Sequence, residues 1–170
     1  SHEAPVLGAI FFAALVVEPL LLLGGAAWAA RRLAGMCERL PRLVMRYAYT
    51  LVPLGFGMWL SHYLFHFLTG ALTVVPVLQS LLQRAGMALL GAPDWTLAGV
   101  RAQALLPLEV GFLLLALGVS LALAWRLAPP NAPARTVRAF LPWAALQILL
   151  AAAAVWVLFQ PMQMRGTFMS

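Results

Sequence analysis

The stretch Gly57-Met-Trp-Leu-Ser-His-Tyr-Leu-Phe-His-Phe-Leu-Thr69 decides how the rest of the chain is read. It is apolar and uncharged, it lies inside a longer apolar run, and it carries two of the three histidines, His62 and His66. A run of that kind, about 20 residues long, reads as a membrane-spanning helix. Imidazole is costly in hydrocarbon and is by default a pointer to function there. At i, i+4 spacing both rings project from one helix face.

The composition agrees with that reading. The 170 residues are 64% hydrophobic and only 9% charged, with a mean hydropathy of +0.92. A soluble domain is nearer half apolar and a quarter charged. The chain therefore reads as an all-α integral membrane protein, a single transmembrane domain over residues 1–170. Four spanning helices fit, over about residues 6–30, 47–68, 102–127 and 140–159. Between spans two and three, residues 76–90 are too short and interrupted to cross, and predict an interfacial or re-entrant helix. Asp94, in the turn Gly91-Ala-Pro-Asp-Trp95, is placed to cap a short helix starting at Trp95.

All eleven basic residues are arginines, and the formal net charge is +6. They sit between apolar runs: Arg31, Arg32, Arg39, Arg42 and Arg46 after the first, then Arg126, Arg135 and Arg138 around the Pro-rich link Ala128-Pro-Pro-Asn-Ala-Pro133. This is the signature of topology and anionic lipid, not of nucleic-acid binding. With both connections inside, the N- and C-termini lie outside, periplasmic for a bacterial cytoplasmic membrane. Cys37 is the only cysteine, so no disulfide framework and no cysteine-ligated iron–sulfur cluster can form within this chain. Its plain reading is an ordinary reduced thiol.

Two local features bend the spans. Glu18-Pro19 puts a carboxyl and a missing backbone donor in the middle of the first span. Gly24-Gly25, Gly55, Gly57, Gly111, Gly118 and Ser120 offer small faces for close helix packing.

The topology also sets depths. His62 lies sixteen residues beyond Arg46, about 24 Å of rise at about 1.5 Å per residue. That is the outer half of a core about 30 Å thick. Glu109 reaches a similar depth from the opposite side, and Glu18 and Gln147 lie deeper. His62, His66, Glu109 and Glu18 are thus the candidate cofactor-binding residues, with His62 and His66 the candidate metal ligands. Four readings remain open: haem b or (bacterio)chlorophyll ligation, a quinone pocket using histidine and glutamate, copper held by the histidines with Met162 and Met164, and hydrogen bonding between helices without a cofactor. No phosphate loop, metalloprotease motif or nucleophile set is present, so the chain is not read as an enzyme by itself.

The segment Leu51-Val-Pro-Leu-Gly-Phe-Gly-Met-Trp-Leu-Ser-His-Tyr-Leu-Phe-His-Phe-Leu-Thr-Gly70 resembles one in membrane-bound polyferredoxin-type proteins, as does the closing Gln160-Pro-Met-Gln-Met-Arg-Gly166. Those bacterial iron–sulfur proteins are associated with oxidase assembly, nitrous-oxide reduction and quinol-linked electron transfer. Their cysteine clusters are absent here, so the resemblance implies only their membrane half. It points to an accessory or anchor subunit of a respiratory or photosynthetic electron-transfer complex, with other membrane subunits and lipid as partners. The alternatives are a structural subunit or assembly factor without cofactor, and a copper-handling or small-solute membrane protein.

Overall fold

The computed structural model describes residues 3–87, 90–96, 102–130 and 132–160, and for 102–103 only the helix path. The elements are α1 (Glu3–Phe12), a π-helical turn (Ala13–Val17), α2 (Glu18–Ala34), α3 (Leu40–Ala48), a 3-10 turn (Tyr49–Leu51), α4 (Val52–Gly70), a 3-10 turn (Ala71–Thr73), α5 (Val74–Arg84), α6 (Ala102–Leu127) and α7 (Pro133–Leu158). No strand occurs among the described residues. Four helical segments are long and apolar enough to cross a membrane: Glu3–Ala34, Leu40–Arg84, Ala104–Leu127 and Pro133–Leu158.

Three of the four boundaries differ from the sequence expectation. The first helix extends to both sides of residues 6–30, and the fourth starts at Pro133, so Arg135 and Arg138 are helical. The second does not stop near Leu68. It runs as one helical path from Leu40 to Arg84, and what was expected as a separate helix over 76–90 is its continuation, ending at Arg84. Gly70 fails to break it because its backbone stays right-handed and a 3-10 turn carries the ladder onward.

Prolines account for each departure from α-geometry. Pro19, Pro53 and Pro76 have no N–H for the carbonyls four residues back, those of Leu15, Tyr49 and Leu72. Each of those residues lies in one of the three irregular turns. At the first, the Glu18 N–H donates to the Ala13 carbonyl, five residues back, widening the turn. Pro107 and Pro142 lie inside uninterrupted helices.

The contacts resolve into two units: residues 1–55 with 116–152, and 56–115 with 153–170. In the first, α2 presents Ala26, Ala27, Ala30 and Ala34, all buried, to Leu43 and Tyr47 of α3, Ala124 of α6, and Ala139, Trp143 and Leu146 of α7. Small residues at an interface let backbones approach, the main source of helix–helix attraction where solvent and side chains are equally apolar. Five of the glycines singled out in the sequence do not play that part. A Cβ added at Gly24, Gly25, Gly55, Gly111 or Gly118 would meet nothing within 4 Å. The close approach falls on the alanines that follow Gly24-Gly25.

The space left by those alanines is filled by Tyr47 stacked on Trp143, with ring centroids 4.9 Å apart and planes 5° off parallel. Such a pair contributes about 0.5–1.5 kcal/mol beyond its buried area. Next to it the Gln147 amide donates to the Thr50 hydroxyl (2.8 Å), which donates to the Tyr47 carbonyl (2.7 Å). Tyr47 is thus a core residue, while Tyr49, Trp59 and Tyr63 are exposed.

Both arginine-bearing connections lie at one end of this unit. Gly35, with φ of 59°, ends α2 in the left-handed conformation that glycine adopts without strain. Arg135 donates from Nε to the Ala34 carbonyl (2.8 Å) and from a terminal nitrogen to the Gly35 carbonyl (2.9 Å). Arg46 pairs with Glu38 (2.9 Å) and donates to the Leu127 carbonyl at the end of α6 (2.9 Å). Two guanidinium groups therefore cover the carbonyl-bearing ends of two helices, where positive charge is favoured. Cys37, in the same connection, is an exposed free thiol.

In the second unit the Ser61 hydroxyl donates to the Glu109 carbonyl (3.0 Å), fixing α4 against α6. Gln79 of α5 clasps the following connection, donating to the Leu90 carbonyl and accepting the Asp94 N–H. Asp94 accepts the Thr96 hydroxyl and N–H. Those two donors, the hydroxyl first, hold its carboxyl below the usual carboxylate range. Residues 97–101, where the helix starting at Trp95 would continue, lie outside the described residues.

Ser120 gives the first unit its most testable contact. Its buried hydroxyl oxygen accepts the Leu54 N–H (3.0 Å) in the first turn of α4, where the helix restarts after the 3-10 turn. Ser120→Ala leaves that buried donor without its acceptor and should cost about 1–3 kcal/mol. Thermal unfolding in mild detergent, followed by circular dichroism, measures the loss.

Candidate functional site

The exposed face of α4 carries the histidine pair. Ser61 turns inward to Glu109, and His62, about 100° further round the helix, turns outward and is exposed, as is His66. The rings of His62 and His66 stand edge to face, 4.8 Å between centroids and 80° between planes. Tyr63 meets the edge of His62, and Phe65 that of His66. Trp59 is 4.7 Å from Tyr63 and 5.9 Å from Phe56, so an aromatic strip borders the imidazoles.

Among the described residues neither imidazole has a hydrogen-bond partner. The two rings are therefore not held between helices by hydrogen bonds among the described residues. Their nitrogens are open to whatever lies against the outer face of α4. Neutral imidazole ligates haem iron, pigment magnesium, zinc or copper and accepts or donates a proton to a quinone oxygen. Among the described residues no third histidine, cysteine or carboxylate joins the pair to complete a metal cluster. A metal here would draw its remaining ligands from elsewhere. The expected companions Met162 and Met164 lie outside the described residues, as does His2.

Glu109 and Glu18 are placed differently. Glu109 shares the second unit with the histidines, but it is buried, 4% exposed, and its Oε1 has no hydrogen-bond partner among the described residues. The Ser61–Glu109 contact brings α4 and α6 together at the depth where the sequence put both His62 and Glu109. The Glu109 carboxyl is an interior group and the imidazoles are surface groups. Glu18 belongs to the first unit, on the first helix just after the π-turn, with an exposed side chain. From residue 3 to residue 20 that helix buries no side chain.

The sequence reading missed one group. Tyr47, Thr50, Trp143 and Gln147 form a buried polar cluster in the first unit in which the Tyr47 hydroxyl, Trp143 Nε1 and Gln147 Oε1 lack partners among the described residues. The signal was available as i, i+3 and i, i+4 spacing: Tyr47 with Thr50 near the start of one span, Trp143 with Gln147 in another.

Comparisons with protein-family models, with curated proteins and with solved structures return no match for the chain.

Because both imidazoles are exposed and have no hydrogen-bond partner among the described residues, His62→Ala and His66→Ala should each leave stability within about 0.5 kcal/mol of the parent. Thermal unfolding of the purified variants checks this. A much larger loss in either would assign the ring a structural contact instead.

Proposed function

We propose that the chain is an integral-membrane accessory or anchor subunit of a bacterial electron-transfer complex, respiratory or photosynthetic. In this reading the outer face of α4 meets a cofactor of that complex. The observation that carries it is the outward, unbonded His62–His66 pair on a helix able to span a membrane. A polar pair facing hydrocarbon is unfavourable unless something covers it, and this chain supplies no cover among its described residues. Haem, pigment and quinone each present a group that imidazole engages. The resemblance of residues 51–70 and 160–166 to the membrane part of polyferredoxin-type proteins supports the same reading.

Placement follows from the arginines. The connections bearing Arg31, Arg32, Arg39, Arg42 and Arg126 face the cytoplasm, and both termini face the periplasm. α5, with Val74, Val77, Leu78 and Leu81 exposed opposite Gln79 and Ser80, lies at the outer interface. The chain catalyses nothing alone; it holds, positions or shields a redox group for its partners.

Purification from native membranes in mild detergent tests this. A Soret, bacteriochlorophyll or quinone signal that copurifies and is lost in His62→Ala and His66→Ala is the expected outcome. A colourless, metal-free and quinone-free chain that still copurifies stoichiometrically with a large complex would overturn the cofactor role and leave a structural subunit.

A further inference from the structure

The first helix carries a second outward polar group. An apolar cavity of about 360 Å³ lies between Ala14, Glu18 and Leu22 of that helix and Leu51, Leu146 and Leu150 of the same unit. On the outer side of the helix a groove of about 530 Å³ shares Ala14, Glu18 and Leu22 and extends along Ile10, Val17 and Leu21. Glu18 is the one polar side chain lining either space. No hydrogen bond or ion pair to its carboxyl occurs among the described residues, where the one acid–base pair is Arg46 with Glu38.

Lipid tails satisfy the Val, Leu and Phe surface of this helix, so its lack of buried side chains calls for no protein partner. They do not satisfy a carboxyl. The widened turn adds a second acceptor. In the i, i+5 register set by Glu18 and Ala13, the Ala14 carbonyl looks to residue 19, a proline without an N–H. A carboxyl thus lies at the rim of an otherwise apolar cavity, on a turn whose Ala14 carbonyl is left without an i+5 donor.

The cavity falls in the range of small-molecule sites, about 300–1,000 Å³, mostly apolar with a few fixed polar groups. It is too narrow for a helix, which is about 10 Å across with its side chains. A lipid headgroup stays at the membrane surface, whereas Glu18 lies in the middle of the first span. A lipid-soluble molecule with a flat apolar head, a hydroxyl to donate and a long apolar tail fits each part: ring in the cavity, hydroxyl on Glu18, tail along the groove.

We infer that Ala14, Glu18 and Leu22 form a quinol-binding site on the first helix, with Glu18 accepting the quinol hydroxyl. The choice of quinol rests on the electron-transfer reading above; the site itself rests on the cavity and the unpartnered carboxyl. It places a quinol on the first helix, on residues other than His62 and His66.

The test uses the full chain in nanodiscs of zwitterionic lipid, titrated with a short-tailed ubiquinol and a short-tailed menaquinol, with bound quinol quantified after extraction. Saturable binding of about one quinol per chain is expected, weakened about three- to tenfold in Glu18→Leu, as loss of one hydrogen bond implies. Leu22→Trp, which fills the cavity and keeps the carboxyl, should abolish binding, and Leu115→Ala, at an exposed residue that lines neither space, should leave it unchanged. Circular dichroism confirms that each variant keeps its helix content. Non-saturable uptake, or binding indifferent to both Glu18→Leu and Leu22→Trp, would overturn the site. Copurification with redox subunits is scored separately, so a chain that joins such a complex without binding quinol refutes the site alone. Glu18-dependent binding by a chain that joins no redox complex refutes the subunit reading alone.

Discussion

A backbone that crosses hydrocarbon must satisfy its own N–H and C=O groups, and that constraint underlies nearly every feature of this structure. It makes the described residues helical, and it makes each proline visible. Pro19, Pro53 and Pro76 withdraw a donor, and the ladder re-registers one turn earlier, as a π-turn in the first case and as 3-10 turns in the others. It also explains two hydrogen bonds that look incidental. Ser120 supplies an acceptor where α4 restarts, and Arg46 and Arg135 supply donors where α6 and α2 end. Arginine suits the second task because a planar guanidinium reaches adjacent carbonyls while its charge stays at the surface.

The polar side chains then divide by direction. Tyr47, Thr50, Gln147, Ser61 and Ser120 face inward, and all but the Tyr47 side chain bond to a neighbouring helix or turn. Their value is register: helices whose apolar surfaces match lipid on every side slide and rotate freely unless a few directional bonds stop them. His62, His66 and Glu18 face outward, where they contribute nothing to that register. A polar group that neither folds the chain nor meets water is best explained by what it binds.

The sequence was informative where charge interrupts apolarity and silent where apolarity is continuous. Four apolar runs and the two arginine-bearing connections between them give the helices and the common end at which Arg46 and Arg135 work. The shared level of α4 and α6 near Ser61 and Glu109 follows from counting residues away from those arginines. Which face of each helix turns inward was not legible. In water the exposed face is polar and reveals itself by period; α1 and α6 are apolar all round, so no period exists to read. The same limit hid the continuity through Gly70, since a small residue and a few polar ones mark a helix end in water but not along a segment bounded by lipid. Gly24-Gly25 misled for a related reason. A small residue permits close approach, yet Ala26, Ala27 and Ala30, equally small for this purpose and better helix formers, are the residues that use it.

The five acids make the outward position of Glu18 stand out. Glu3 lies in the first turn of α1, where the helix dipole favours it. Glu38 is paired with Arg46, Asp94 closes a turn with Thr96, and Glu109 is enclosed beside the contact that joins α4 to α6. Three of these acids thus have a local reason that ordinary helix and turn chemistry provides, while the buried Glu109 carboxyl has an Oε1 without a partner among the described residues. Glu18 has no such reason: it is exposed, mid-helix, next to a proline that widens the turn and at the edge of an apolar cavity. A leucine there would insert into a bilayer more readily and would leave the proline next to the π-turn in place. The proposed quinol site gives that carboxyl a role, and the apolar cavity beside it suits a small, lipid-borne donor.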